Sequence, residues 1–222
     1  MDFGKAFSYP FQDPDWIKKI GIAALLSLIP IVGWIFVAGW MLETVRRVIQ
    51  REPQPLAEWN NFGGYLGKGF KVFVVGLVYS IPAIIVSACQ QGLIYFGADQ
   101  GDDTLMTALT VVGICFGCIL FVYYLLLALV LPAAYGRMAA EDQMGAAFKF
   151  GQVFGLVRAA PMAYVIVLLG GLVTSIVASL GLILCFIGVI LTAAYAMAVN
   201  AHFYGQAYNV ATAAKDVQPA TY

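Results

Sequence analysis

Charge is what this sequence has least of. Asp, Glu, Lys and Arg make up 11% of the 222 residues, the two signs cancel, and there is one histidine. A soluble domain devotes about a quarter of its residues to charge and about half to apolar side chains; here 62% are hydrophobic and mean hydropathy is +0.86. So few charges cannot cover a water-facing surface, so lipid must solvate much of the chain. Zero net charge excludes the basic footprint of a nucleic-acid-binding protein. One histidine and scattered cysteines exclude a zinc site of ordinary ligand count. The first sixteen residues, MDFGKAFSYPFQDPDW, lack the apolar run and small-residue cleavage site of a signal peptide.

Cys89, Cys115, Cys118 and Cys185 all lie inside apolar runs, where a thiol acts as a small hydrophobe rather than half of a disulfide. The Cys115-x-x-Cys118 spacing has no histidine or acid beside it and reads as helix packing. No ionisable residue falls near the centre of any predicted crossing, which argues against ion or proton coupling. No Ser/His/Asp set or carboxylate pair is assembled, so neither enzyme activity nor a cofactor is expected. The glycines between Phe62 and Phe70 match no phosphate-loop spacing.

What is present is apolar length. A membrane-spanning helix needs about 20 apolar residues, and such stretches occupy 17–45, 69–98, 104–135 and 159–208. The last must fold back, most simply between Gly181 and Gly188. The first carries Pro30 and Gly33 at its centre. Leu28–Trp40 resembles Ile183–Tyr195, with Gly33 aligned to Gly188 and Ala38 to Ala193, so a reversal is expected near residue 30 as well. The predicted fold is an all-α integral membrane bundle of about six helices arranged as three hairpins: 17–50, spanning or re-entrant, 67–138 and 160–208. An interfacial segment, 1–16, precedes them and a flexible tail, 209–222, follows. Asp13-Pro14-Asp15 reads as an N-cap, a proline at the first helical position and a first-turn acid. Pro82 and Pro132 are expected to kink the third and fourth helices.

In this arrangement all twelve Lys and Arg residues fall on one side, and Asp99, Asp102 and Asp103 are the only charges on the other. Cytoplasmic loops carry the basic excess, which puts both termini in the cytoplasm. Amphipathic interfacial helices are expected on that side: one ending before Pro10 with Phe3, Phe7 and Phe11 on one face, one over 56–66 and one over 143–157. Phe3, Phe7, Phe11, Trp16, Trp59 and Phe62 are the expected interfacial anchors. Lys18, Lys19, Arg46, Arg47 and Arg158 are candidates for anionic lipid headgroups. Gly113 and Gly117, and Gly171, Ser175 and Ser179, form small-residue stripes that pack helices within the bundle or between protomers. Ser80, Ser87, Gln90, Gln91, Tyr123 and Tyr124 are the polar residues that could line a permeation path. His202, with Asn200, reads as an interfacial histidine bonded to a neighbour.

The opening MDFGKAFSYPFQDPDWIKKI resembles the start of an uncharacterised family of prokaryotic polytopic membrane proteins, known only as a domain of unknown function. The resemblance continues through SLIPIVG (27–33), the region of Arg46, PLAEW (55–59) with Phe62, and AFKFG (147–151) leading to Arg158, Pro161 and Tyr164. It implies the inner or cytoplasmic membrane of a prokaryote and supplies no activity. More distantly the architecture is similar to the membrane domain attached to some glycerophosphodiester phosphodiesterases, with no catalytic residue carried over. The expected role is a non-enzymatic scaffold or subunit, partnered by membrane lipids, by copies of itself or by other membrane subunits, and not by nucleic acid. A small transporter or channel with proline-broken helices, or an anionic-lipid-binding protein, are the alternatives.

Overall fold

A computed structural model describes residues 1–100 and 103–217, except for the side chains of Gln100 and of 184–187. Asp102, Cys185's side chain and the last five residues of the expected tail lie outside the described residues. The described chain is all helix and connection: α1 (Phe3–Gln12), α2 (Trp16–Ser27), α3 (Val32–Ile49), α4 (Phe62–Gln100), α5 (Asp103–Glu141), α6 (Met144–Ala147), α7 (Phe150–Ala159), α8 (Pro161–Leu180) and α9 (Cys185–Val217), with a short 3₁₀ turn, Gly181–Leu184, before α9. Three of these are long and apolar enough to cross a membrane: Phe62–Asp99, Asp103–Glu141 and Pro161–Ile183.

The chain divides into two compact units, residues 1–75 with 129–222, and residues 76–128. The first is organised around α9. Tyr9, Ile20, Val37, Trp40, Leu56 and Ala198 belong to one buried cluster, filled out by small Ala23, Ala24, Ala57 and Ala194. Alanine and glycine let the helices approach closely. A methyl group on Gly69 would lie 1.7 Å from the Ile35 carbonyl oxygen, and one on Gly39 would lie 1.9 Å from that of Tyr65. Gly170 similarly admits the Phe203 ring, and Gly205 admits Val48.

The expected reversal near residue 30 is present. Ile31 has φ 65° and ψ −67°, and the Val32 N–H donates to the Pro30 carbonyl at 2.8 Å. This is a γ-turn with positive φ, a strained geometry for a β-branched residue. Gly33 follows because a methyl group there would sit 1.8 Å from the Leu26 carbonyl oxygen. The Trp34 indole donates to the Ser27 carbonyl at 2.9 Å and closes the turn. With twelve residues, α2 extends about 18 Å at 1.5 Å per residue, well short of a hydrocarbon core about 30 Å thick.

Several boundaries differ from the sequence reading. α1 runs through Pro10 to Gln12, because its end is fastened from outside: the Asp13 N–H donates to the Pro10 carbonyl and the Tyr9 hydroxyl is bonded to α9. α2 begins at Trp16 after Asp15, since the Asp13 carboxylate is occupied by the Asp15 N–H and by Lys19. Residues 50–61 form no helix, and Leu56 and Ala57 are fully buried there, so the first half of the stripe expected over 56–66 is an inward-facing strap, while Phe62 and Leu66 are exposed on the first turns of α4. The 143–157 segment breaks into α6 and α7. Residues 209–217 of the expected tail continue α9, with Asn209 bonded to the Val48 carbonyl and Ala211 buried.

The second unit is the hairpin end formed by residues 76–128. Pro82 lies within continuous α4, and the Tyr123 hydroxyl donates at 2.6 Å to the carbonyl of Tyr79, three residues earlier. Ser80 back-bonds to the Gly76 carbonyl. Such contacts satisfy carbonyls that a proline disturbs. Pro132 likewise sits within continuous α5. Much of the hairpin's apolar surface is uncovered, including Ile85, Ile114, Ile119 and Phe121.

Candidate functional site

In the first unit, ion pairs tie helices and loops together. The tightest group is centred on Lys19, which is only 2% exposed on α2. Its ammonium meets the buried Asp13 carboxylate at 2.6 Å and Glu58 at 2.5 Å, and it reaches the Leu56 carbonyl at 3.3 Å. The backbone completes the knot: the Trp59 indole donates to the Lys19 carbonyl, and the Trp40 indole to that of Ala57. Trp40 and Trp59 stack with centroids 5.5 Å apart and planes 8° from parallel. Burying a lysine is tolerable only with such pairing.

Beside this knot, on the far side of Asp13, lies a cleft of about 500 Å³. One wall is α1, with Asp2, Lys5, Tyr9 and Gln12; a second is the strap after α3, with Arg51, Glu52 and Gln54; the third is α9, with His202, Gln206 and Asn209. Two tyrosines pin α1 in place: Tyr9 donates to the Ala198 carbonyl at 2.8 Å and Tyr195 to that of Phe7 at 2.7 Å. Burial, then Tyr195 and Asp13, push the Tyr9 hydroxyl well above the ordinary phenol range.

His202 is buried, with its ring stacked on Tyr9 at 4.4 Å. Gln206 sets its tautomer. The Gln206 amide oxygen accepts the Asp2 N–H at 2.8 Å, so its nitrogen is the group 2.8 Å from His202 Nδ1. That nitrogen can only donate; Nδ1 therefore accepts, and the ring proton sits on Nε2. Sequence reasoning placed His202 beside a neighbour but missed the cleft, because Lys5, Arg51 and Gln206 come from three distant segments with no shared motif.

The expected headgroup residues are dispersed. Lys18 and Arg158 are exposed. Arg46 pairs with Asp142 at 3.3 Å, and Arg47 with Glu52 at 3.6 Å and the Leu56 carbonyl. Lys19 does not face headgroups: Asp13 and Glu58 hold its ammonium in the interior. The interfacial aromatics also fold inward in part. Phe3 and Phe7 pack on Phe203, Phe11 on Trp16 and Tyr195, and Phe62 on Trp59 and Phe36, although Phe3, Phe11 and Phe62 keep exposed edges.

The small-residue stripes divide. Gly113 accepts a long 3.4 Å contact from the Gln90 amide within the hairpin, whereas a methyl group on Gly117 would meet nothing. On α8, Gly171 also opens to empty space, and Ser175 and Ser179 are exposed with hydroxyls bonded to their own helix. The glycines that do bring helices together, Gly39, Gly69, Gly170 and Gly205, are not in those stripes. Cys89, Cys115 and Cys118 are free and exposed, and among the described residues no three His, Cys, Asp or Glu side chains gather as a metal site. Within the hairpin a smaller cavity, about 320 Å³, has Gln90 and Thr110 as its polar side chains.

The fold and these faces define an all-α helical-bundle membrane protein. The chain belongs to the family described as "Protein of unknown function (DUF4013)", whose model matches residues 22–202. No curated protein and no solved structure matches it. The distant resemblance to glycerophosphodiester phosphodiesterase membrane domains has no counterpart in these comparisons.

Proposed function

We propose that this protein is a non-enzymatic component of a membrane assembly, a scaffold or subunit that associates with copies of itself or with other membrane subunits. The observation that carries the reading is the stripe Gly171, Ser175 and Ser179 on α8: a methyl group on Gly171 would meet nothing among the described residues, and Ser175 and Ser179 are exposed. Lipid chains gain little from a groove of small residues, whereas a second helix gains close backbone contact. Gln91 adds support: it is exposed on α4 with no partner among the described residues, and hydrocarbon offers its amide no hydrogen bonds. The ionisable groups serve as ties, as in Lys19 with Asp13, Lys68 with Glu43, and Arg137 with Glu141.

The orientation we infer is multi-pass in the cytoplasmic membrane of a prokaryote, with both termini inside. All twelve Lys and Arg residues lie in 1–75 and 129–222, while 76–128 carries only Asp99, Asp102 and Asp103. That asymmetry follows the positive-inside rule. A small transporter is the second reading, supported by the polar cleft, by the reversal at Pro30 and by Pro82 within α4. Its support is thinner because the cavity within 76–128 is mostly aliphatic.

Blue-native electrophoresis of mildly solubilised protein tests the assembly reading. The expected result is a band at a multiple of the 23.9 kDa chain, or with co-purifying subunits, that shifts towards the monomer in Gly171→Leu/Ser175→Leu. A monomeric band without partners in the native protein overturns it.

A further inference from the structure

We infer that the cleft between α1, the strap after α3, and α9 is a binding site for a phosphate-bearing anion, held chiefly by Lys5 and Arg51. Two of the three wall acids are ion-paired with bases outside the cleft, and the third, Asp2, keeps its charge while it caps α1. Asp2 Oδ1 accepts the Lys5 N–H at 2.9 Å and caps α1. Asp13 is taken by Lys19 and by the Asp15 N–H. Glu52 pairs with Arg47. The two wall bases are not ion-paired: Lys5 and Arg51 line the cleft, are exposed, and have no acid partner among the described residues. With Lys5 and Arg51 set against Asp2, the cleft keeps an excess of positive charge although its formal acids outnumber its bases.

A third donor comes from α9. With Nδ1 accepting from Gln206, His202 keeps a proton on Nε2, and that N–H has no protein acceptor among the described residues. The donors thus come from three elements: an ammonium on α1, a guanidinium on the strap and an imidazole N–H on α9. A phosphate group offers several anionic oxygens to donors supplied by separate elements of one cleft, and charge-assisted bonds to it are the strong kind. Val48, Leu56 and Val210 add an apolar side to the cleft, and about 500 Å³ is ample for more than the phosphate itself. The ligand is therefore a phosphate ester rather than a bare ion. Both a soluble phosphate ester and the headgroup of an anionic phospholipid have this chemistry.

The experiment uses the full chain in two arms. In detergent, thermal stability is followed while inorganic phosphate or glycerol 3-phosphate is titrated against sodium chloride of equal ionic strength. In nanodiscs, stability is compared between pure phosphatidylcholine and phosphatidylcholine with phosphatidylglycerol. Each arm is repeated with Lys5→Gln, Arg51→Gln and the double variant; neither side chain has a salt bridge to lose, so their unliganded melting reports whether folding is intact. The expected result is saturable stabilisation in one arm, with apparent affinity weakened about tenfold or more in the double variant, as loss of two charge-assisted contacts requires. Stabilisation in the first arm identifies a soluble ester, and in the second alone a lipid headgroup. No saturable effect in either arm, or one that the double variant leaves intact, overturns the assignment. As a second readout, phosphorus NMR line broadening of glycerol 3-phosphate should be present with the native chain and lost with the double variant if the ligand is soluble.

Discussion

Replacing Lys19 by methionine removes a charge while keeping most of the side chain's apolar volume. In the native chain the ammonium is 2.6 Å from Asp13, and both side chains are 3% exposed. Glu58, the third member, is 46% exposed and can turn to water once its partner is gone. Asp13 cannot, because its other oxygen is tied to the Asp15 N–H. The variant therefore strands one buried carboxylate, a loss of about 3–5 kcal/mol. For chains of this length each kcal/mol moves the midpoint by about 2–4 °C, so Lys19→Met should melt roughly 6–20 °C below the native protein in the same detergent. The assay is thermal unfolding followed by Trp fluorescence; Trp40 and Trp59 flank the site and report on it directly. Adding Asp13→Asn should recover much of the loss, since the amide keeps an acceptor for Asp15 without a charge to strand. A Lys19→Met midpoint within about 2 °C of native, or a double variant less stable than Lys19→Met, would refute the reasoning.

Other outcomes follow from the same structure. Gly69→Ala forces a methyl group against the Ile35 carbonyl and should cost about 1–3 kcal/mol or more, while Gly117→Ala, with nothing near it, should leave monomer stability unchanged; thermal midpoints of the two variants compare them. Tyr9 binds its proton more tightly folded than unfolded, so its contribution is whole below pH 10, its ordinary value, and is lost as pH rises beyond it. Tyr9→Phe should give up about 1 kcal/mol at neutral pH with the bond to Ala198 and show a shallower alkaline decline than the native chain in chemical unfolding. At Ile31, glycine relieves positive-φ strain of about 1–3 kcal/mol against an entropic cost of about 0.5–1 kcal/mol, so Ile31→Gly should be neutral to stabilising by thermal unfolding.

The residues that could be read from sequence are those whose effect is local. Pro30 and Gly33 announced a reversal because proline and glycine act on their own backbone, and the γ-turn at Ile31 sits between them. Lys19 was misplaced because its burial depends on Glu58 and Leu56, which no local spacing connects to it. The small-residue stripes left open whether they pack within the bundle or between protomers, because a four-residue spacing specifies a face and not its occupant. Gly69 works through Ile35 on another helix, while Gly117 and Gly171, equally regular, face outward. Leu56 and Trp59 looked like an interfacial helix because apolar side chains at that spacing fit a helix face; the Ala57 N–H donating to Thr44 Oγ1 and the Trp40 indole donating to the Ala57 carbonyl hold the segment as an inward strap instead. The cleft was invisible for a related reason: its three donors are distributed over α1, the strap and α9.

Cysteine accessibility tests the central claim most directly, namely that the chain turns back near residue 30 and keeps its basic segments on one side of the membrane. Ser8→Cys, Gln54→Cys and Asp99→Cys would be made singly in a background with Cys89, Cys115, Cys118 and Cys185 replaced, and treated with a membrane-impermeant maleimide in intact and permeabilised cells. Positions 8 and 54 should both label only after permeabilisation, and position 99 should label in intact cells. Opposite accessibility at 8 and 54 would contradict the account.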